Sequence, residues 1–243
     1  MSKRAPATHF GSSTVPAAKK AGLVRGVFDR VADRYDLMND LMSFGLHRAW
    51  KSALVDWLRP RPGLTHLDLA GGTGDVARRV LAAAGGRGRV VIADINARML
   101  AAGAAGDGVL RVAGDGEALP FAAHSFDSAS VAFGLRNMTH LERALAEALR
   151  VLKPGGRFLC LEFSRVETPL IDALYDAYSR RVIPRLGALV ARDRAAYDYL
   201  VESIRRFPPQ AELARLMGAA GFARVEVQNL SFGIVALHSG WRL

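Results

Sequence analysis

The run LDLAGGTGDVARR, Leu67 to Arg79, sets an acid and three glycines around a small-residue turn, and VIADIN, Val91 to Asn96, carries a second acid, Asp94. An apolar strand that runs into such a turn and then into a helix lets backbone N–H groups approach a ligand at the helix N-terminus. Asp94 follows Gly74 by twenty residues, a spacing from which an acid can hold ribose hydroxyls. Together the two motifs describe an adenosine site, with Gly71, Gly72, Thr73, Gly74 and Asp94 as its first candidates.

The loop alone leaves alternatives. Gly72-Thr73-Gly74-Asp75-Val76-Ala77 also fits the G-x-G-x-x-A form of NAD sites, and a tight turn with no ligand reads the same way. Asp68 tilts the balance. It lies three residues before Gly71 inside an apolar strand, where a carboxylate is costly unless a polar ligand group meets it. The ammonium of a methionine moiety would meet it well. S-adenosylmethionine asks for an acid toward each end and no pyrophosphate cradle, so Asp68 with Asp94 suits it better than NAD.

The elements that must position these residues alternate. Strands are expected at Thr65 to Ala70, Arg89 to Ile95, Val109 to Gly114, Phe126 to Phe133 and Arg157 to Phe163, with helices at Asp75 to Ala84, Ala97 to Ala105 and Leu141 to Leu152 between them. Helical periodicity precedes the first strand, at Leu23 to Tyr35 and His47 to Leu58. It returns at Pro169 to Val182 and Pro209 to Ala220. Arg224 to Ser231 and Ile234 to His238, joined through Gly233, read as an antiparallel hairpin at the sheet edge. The alternation implies an α/β fold, a parallel sheet with helices on both faces and ligands at the carboxyl ends of its strands. Asp68, Asp94, Asp115 and Phe133 fall at or near those ends.

With 243 residues, half of them hydrophobic, the chain can bury one core, and a single domain over 23–243 is expected. Residues 1–22, rich in Ser, Ala, Pro and Thr with Lys3, Arg4, Lys19 and Lys20, read as a flexible basic arm. The one cysteine, Cys160, sits in an apolar strand and reads as core, so no metal site is expected. No apolar run has membrane-spanning length and no secretory signal is seen, so a cytoplasmic protein is expected. A formal charge of +10 implies an anionic partner, which composition leaves open between nucleic acid and a membrane face.

Several longer motifs carry a resemblance over nearly the whole chain. The glycine loop with Asp68, the acid of ADIN, GDGEALPF and RVLKPGGRFL are similar to the seven-stranded, Rossmann-like class I methyltransferases that use S-adenosylmethionine. More narrowly, VFDRVADRYDLMNDLMSFGLHRAWK, LDLAGGTGD, FGLRN, LEFS, YLVESIRRFPPQ and NLSFGIVALHSG resemble the ubiquinone/menaquinone biosynthesis C-methyltransferases. The resemblance implies a seven-stranded, mostly parallel sheet with an antiparallel C-terminal hairpin. It also implies a helical cap (about 23–60) and a helical lid insertion (about 168–208). The implied reaction is methylation of a ring carbon of 2-polyprenyl-6-methoxy-1,4-benzoquinol, of demethylmenaquinol, or of both. The family's cofactor positions fall on Thr73, Asp94 and Asp115-Gly116. Ala132 stands where some relatives carry serine before FGLRN, so a side-chain hydrogen bond there is lost. Ala70 stands where the general class has glycine.

A ring carbon attacks a sulfonium methyl only when a neighbouring hydroxyl is ionised or nearly so, so the site must favour a phenolate, align the reactants and exclude water. Arg136 in FGLRN is the leading candidate for stabilising that phenolate, because arginine stays charged and is a poor proton acceptor. Asn137 would hold the quinol oxygen or the turn. A local capping turn is the alternative for both. Tyr35, with Asp36, Met38 and Asn39, would contact the cofactor as the N-terminal helices close over it, unless YDLMN is simple helix-turn packing. His47 could line a substrate entrance or be structural, and the remaining histidines have weaker cases.

The prenyl tail of such a substrate lives in a bilayer. Segment Arg180 to Arg206 holds seven arginines among Ile183, Leu186, Leu189 and Val190, a mixture suited to an anionic headgroup layer. Peripheral association with the inner face of the membrane is therefore expected, with a quinone-biosynthesis complex or a homodimer as further partners and no nucleic acid. An RNA methyltransferase of the same fold is the enzyme alternative, and it would want a base-stacking motif after the fourth strand where this chain has Phe133-Gly134-Leu135-Arg136.

Overall fold

The computed structural model describes residues 7–11, 13–32, 39–40, 43, 45–103, 108–166 and 194–243. A two-stranded ribbon, β1 (Ala7–Phe10) and β2 (Ser13–Pro16), leads into helix α1 (Ala17–Val31), and α2 (Leu46–Leu58) follows. Next come β3 (Leu64–Leu69), α3 (Asp75–Ala83), β4 (Gly88–Asp94), α4 (Ala97–Ala102), β5 (Val109–Ala113), β6 (Phe126–Ala132), α5 (Leu141–Val151) and β7 (Leu152–Phe163). Helices α6 (Arg194–Arg206) and α7 (Gln210–Ala219) precede the last strands, β8 (Ala223–Leu230) and β9 (Val235–Trp241).

Seven strands form one sheet in the order β5-β4-β3-β6-β7-β9-β8. The first five are parallel and β9 pairs antiparallel with both β7 and β8. The expected hairpin is present, but its second strand is interior and only β8 lies at the edge. His238 is accordingly buried, with Nε2 3.0 Å from the Gln210 carbonyl. Between β3 and β6 the strand order reverses, which opens a crevice at their carboxyl ends.

Strand alternation sorts the core into two layers. Leu67, Leu69, Ala129, Val131, Phe158 and Cys160 face α5 and α7, where Phe158 stacks on Phe222 with centroids 5.2 Å apart. Leu64, Leu159, Leu161 and Phe163 face α2 and α3, against Trp50, Leu54, Val76 and Val80. On β3 and β6 this second face carries polar side chains. His66 pairs in register with Ser128 and Asp68 with Ser130, and all four are buried. Burial holds the His66 imidazole neutral, with a pKa of about 3. Its two ring nitrogens lie 2.8 Å from Ser128 Oγ and 3.0 Å from Ser130 Oγ, so this histidine is structural.

The N-terminal segment differs from the flexible arm expected over 1–22. Residues 7–10 and 13–16 pair as a ribbon, and α1 begins at Ala17, directly after Pro16. Ala-Ala-Lys-Lys-Ala is good helix-forming sequence, and a proline just before it is compatible with a helix start. Tertiary contacts fix the segment: Phe10 stacks on Tyr199 at 4.5 Å, and Lys20, 8% exposed, donates to the Met138 carbonyl at 2.7 Å. Of the expected lid insertion, residues 167–193 lie outside the described residues, as does most of Arg180 to Arg206.

Candidate active site

Asp94 ends β4 with each carboxylate oxygen taking one backbone N–H: Oδ2 from Gly72 at 2.9 Å and Oδ1 from Asn96 at 2.8 Å. Burial pushes its carboxyl above the usual range, and those two N–H groups pull it back. A carboxylate oxygen accepts more than one hydrogen bond, so Asp94 keeps capacity toward the cavity it borders. That cavity is walled by Gly72 of the turn, Asp94 and Ile95 after β4, Asp115 and Gly116 after β5, and Asn137 and Met138 after β6. Helix α1 closes it with Val24, Arg25 and Phe28. The closure is anchored by Asn96, whose Nδ2 donates to Asp29 Oδ1 at 3.0 Å while its Oδ1 caps α4. A largely apolar slot with an acid at its rim can hold an adenosine, Asp94 being placed for the ribose hydroxyls.

The glycine turn separates this cavity from a smaller recess lined by Lys51, Asp68, Gly71, Thr73, Asp75 and Ala132. Gly74 adopts φ 81°, outside the comfortable range for other residues. A Cβ on Gly71 would lie 2.6 Å from Asp68 Oδ2. Asp68 is 1% exposed and forms the floor of the recess. Its Oδ2 accepts from the Ala77 N–H at 3.1 Å and its Oδ1 from Ser130 Oγ at 3.2 Å. The cause is the position within β3, which directs the carboxylate beneath the turn and under α3. Two residues at the carboxyl ends of the switch-point strands, Ala70 (φ 52°) and Phe133 (φ 59°), hold left-handed conformations. Both border the cofactor cavity, a place where backbone strain commonly collects.

Arg136 and Asn137 occupy a 3-10 turn after β6, Leu135–Asn137. The Arg136 side chain is 4% exposed, and its guanidinium donates to Glu162 Oε2 at 2.9 Å and lies over the Phe163 ring at 5.5 Å. Because Leu161 is in register with Ala132, Glu162 on the neighbouring strand falls beside the turn and takes the charge. Burial raises the Glu162 carboxyl and Arg136 opposes that rise. Arg136 Nε, however, is buried with no hydrogen-bond partner among the described residues. Asn137 Oδ1 accepts from the Tyr199 hydroxyl at 2.9 Å.

Arg136 borders a second cavity, with His9, Lys20, Leu135, Leu141, Tyr199, Arg206 and Phe207. The turn from Phe133 to Thr139 therefore stands between the two cavities, Asn137 lining the first and Arg136 the second.

The ubiE/COQ5 methyltransferase family model matches residues 15–242. The chain belongs to the ubiE/COQ5 methyltransferase family. A ubiquinone/menaquinone biosynthesis C-methyltransferase UbiE of Paracoccus denitrificans (strain Pd 1222) is 55% identical over 243 residues, 97% of each chain. One of Brucella abortus (strain S19) is 53% identical over 96% of this chain and 90% of that one. Among solved structures, a SAM-dependent methyltransferase of Thermotoga maritima has a TM-score of 0.66 at 22% identity, over 90% of this chain and all (100%) of that one. Phosphoethanolamine N-methyltransferase 2 of Haemonchus contortus, in complex with S-adenosyl-L-methionine, has a TM-score of 0.66 at 15% identity, over 90% and 60%. The fold is thus that of the class I methyltransferases, and this chain is a methyltransferase dependent on S-adenosylmethionine.

Within this methyltransferase the structure gathers Gly72, Asp94, Asp115, Gly116 and Asn137 around one cavity and Asp68, Gly71, Thr73 and Ala132 around the adjoining recess. Gly74 sits behind the turn, packed on Ile92. Tyr35, Asp36 and Met38 lie outside the described residues. His47 is buried, 2.8 Å from Asp40 Oδ1, and lines neither cavity. Sequence reasoning expected N-terminal helices over the cofactor but did not single out Val24, Arg25 or Phe28 of α1, nor Lys51 or Tyr199. Lys51 was detectable: with Leu54, Val55 and Leu58 it occupies the buried stripe of α2, and a cation on an apolar stripe is a signal.

Proposed function

We propose that this chain transfers a methyl group to a ring carbon of a polyprenylated quinol, 2-polyprenyl-6-methoxy-1,4-benzoquinol, demethylmenaquinol or both, in ubiquinone/menaquinone biosynthesis. The names of relatives 52–55% identical over nearly the full chain support this reading. The observation that carries it is the second cavity, whose aromatic and apolar walls (Leu135, Leu141, Tyr199, Phe207) and cations (Arg136, Lys20) adjoin the cofactor cavity at one turn. A flat phenolic ring needs that combination.

Bound S-adenosylmethionine supplies an electrophilic methyl on sulfur. Asp94 holds the ribose, α1 covers the adenosine and keeps water out, and the turn at Asn137 borders the reacting space. Arg136, oriented by Glu162, directs its unpartnered Nε–H toward a quinol oxygen and stabilises the phenolate that makes the neighbouring carbon nucleophilic. Asn137, held by Tyr199, positions the ring. The carbon forms a bond to the methyl as the sulfur–methyl bond breaks, and the ring then loses a proton to water as aromaticity returns.

The substrate is drawn from a bilayer, and no described helix is long and apolar enough to cross a membrane. Net charge of +10 favours docking on anionic lipid at the inner face, alone, as a homodimer or within a biosynthetic complex. Such docking fades as salt shortens the Debye length to below about 10 Å. Sedimentation with acidic but not neutral vesicles, lost at high salt, is the expected result; equal binding to neutral vesicles at high salt refutes electrostatic docking. Lipid extraction from cells lacking the gene tests the reaction. Accumulation of a quinone precursor short of one ring methyl is expected, and an unchanged quinone profile refutes the assignment.

A further inference from the structure

Lys51 is a cation on a buried helix face, and its ammonium keeps donors that the described residues do not use. Its side chain is 8% exposed and Nζ donates to Asp75 Oδ2 at 2.9 Å. The other oxygen of Asp75 accepts from Arg79 Nε, also at 2.9 Å, so one carboxylate serves two cations. Arg79 has a further acceptor in Ser52 Oγ at 2.9 Å. An ammonium has three donors, and Lys51 gives one hydrogen bond to the described residues. A largely buried ammonium with unused donors is costly unless an acceptor joins it.

The recess beside Lys51 shares Ala70, Gly72 and Phe133 with the adenosine cavity. Asp94 fixes the ribose on one side of the glycine turn, so a chain extending from the ribose across Gly72 enters the recess on the other side. There Lys51 is the one cation among the described lining residues, facing Asp68 and Asp75. An amino-acid terminus presents an ammonium and a carboxylate, and the recess presents acids and one lysine.

We propose that Lys51 binds the carboxylate of the cofactor's methionine end, and that Asp75 is the internal acid with which this carboxylate competes. The inference rests on the cofactor and is independent of the quinol assigned above, because its test contains no acceptor. S-adenosylhomocysteine carries the amino-acid end and 5′-methylthioadenosine lacks it, so their affinities separate this subsite from the adenosine site. Lys51→Met keeps the aliphatic packing and leaves Arg79 on Asp75. Losing a charge-assisted bond should weaken S-adenosylhomocysteine about tenfold or more and leave 5′-methylthioadenosine within about twofold, measured by calorimetry. Equal weakening of both ligands, or no weakening of either, overturns the proposal. Asp75→Asn provides a second reading should Lys51→Met fold poorly. Freed from its acid, Lys51 should bind S-adenosylhomocysteine as tightly as in the parent or more so, with 5′-methylthioadenosine unchanged. Weakened binding of both ligands by Asp75→Asn would mean that the Lys51–Asp75 pair only shapes the turn, and would overturn it as well.

Discussion

Asp68→Asn should make the cofactor-free protein more stable, and increasingly so as pH rises. Burial is the largest influence on Asp68 and lifts its pKa from 3.8 to about 7, with Ser130 and the Ala77 N–H opposing the rise only in part. An acid whose folded pKa is raised binds more protons folded than unfolded between those values, so stability falls as pH climbs from about 4 to about 7. Fully ionised, the carboxylate costs about 4 kcal/mol at 1.36 kcal/mol per pKa unit. At pH 5 the same linkage costs about 1.5 kcal/mol.

Asparagine has the shape of aspartate and can keep both local bonds. Its oxygen accepts from the Ala77 N–H and its NH₂ donates to Ser130 Oγ, provided that Ser130 turns its own proton to His66 Nε2. A neutral imidazole carries its proton on either nitrogen, so Nδ1–H then donates to Ser128 and the ladder reverses without a lost bond. Thermal unfolding of parent and variant at pH 5 and pH 8 is the assay. The stability advantage of the variant should grow by about 3 kcal/mol across that range, or about 6–12 °C for a chain of this size. Other titrating groups cancel in the comparison. A gap independent of pH, or a variant less stable by the same amount throughout, refutes the argument that Asp68 is held against its charge.

Asp94→Ala should weaken S-adenosylhomocysteine by about 1–3 kcal/mol in calorimetry, because charge-assisted ribose bonds are lost; unchanged affinity contradicts the ribose assignment. Gly134→Ala places a Cβ 2.6 Å from Ala70 Cβ and should cost about 1–3 kcal/mol in denaturant unfolding, as overpacked cores do. Adding Ala70→Gly removes the clashing atom and relieves the left-handed φ, so the double variant should regain most of the loss, and additivity would show that the contact is not the cause. Arg136→Lys keeps a cation beside Glu162 but removes the Nε donor, and single-turnover methyl transfer should slow by about 10²-fold with cofactor affinity little changed. Transfer at the parent rate would make Arg136 purely structural.

What the sequence revealed and what it hid divide along a physical line. The glycine turn, Asp94 and the strand–helix alternation depend on neighbours within one βαβ unit, so spacing alone displays them. The closure of the cofactor cavity depends on α1 meeting Asn96 through Asp29, a contact between residues 67 apart that helical periodicity at Leu23 to Tyr35 cannot display. Arg136 gives the same lesson in its charge. Its type and place after β6 were evident, but its acid, Glu162, arrives from the adjacent strand. That ion pair fixes the guanidinium beside the turn and leaves its buried Nε–H without a partner among the described residues. Asp68 shows the converse. Its burial was evident from an acid in an apolar run, but Ser130 and the Ala77 N–H, which each bond one of its oxygens, were not. A buried charge announces that a partner exists, and only the three-dimensional register of β3 against β6 shows that Ser130 is one of its partners.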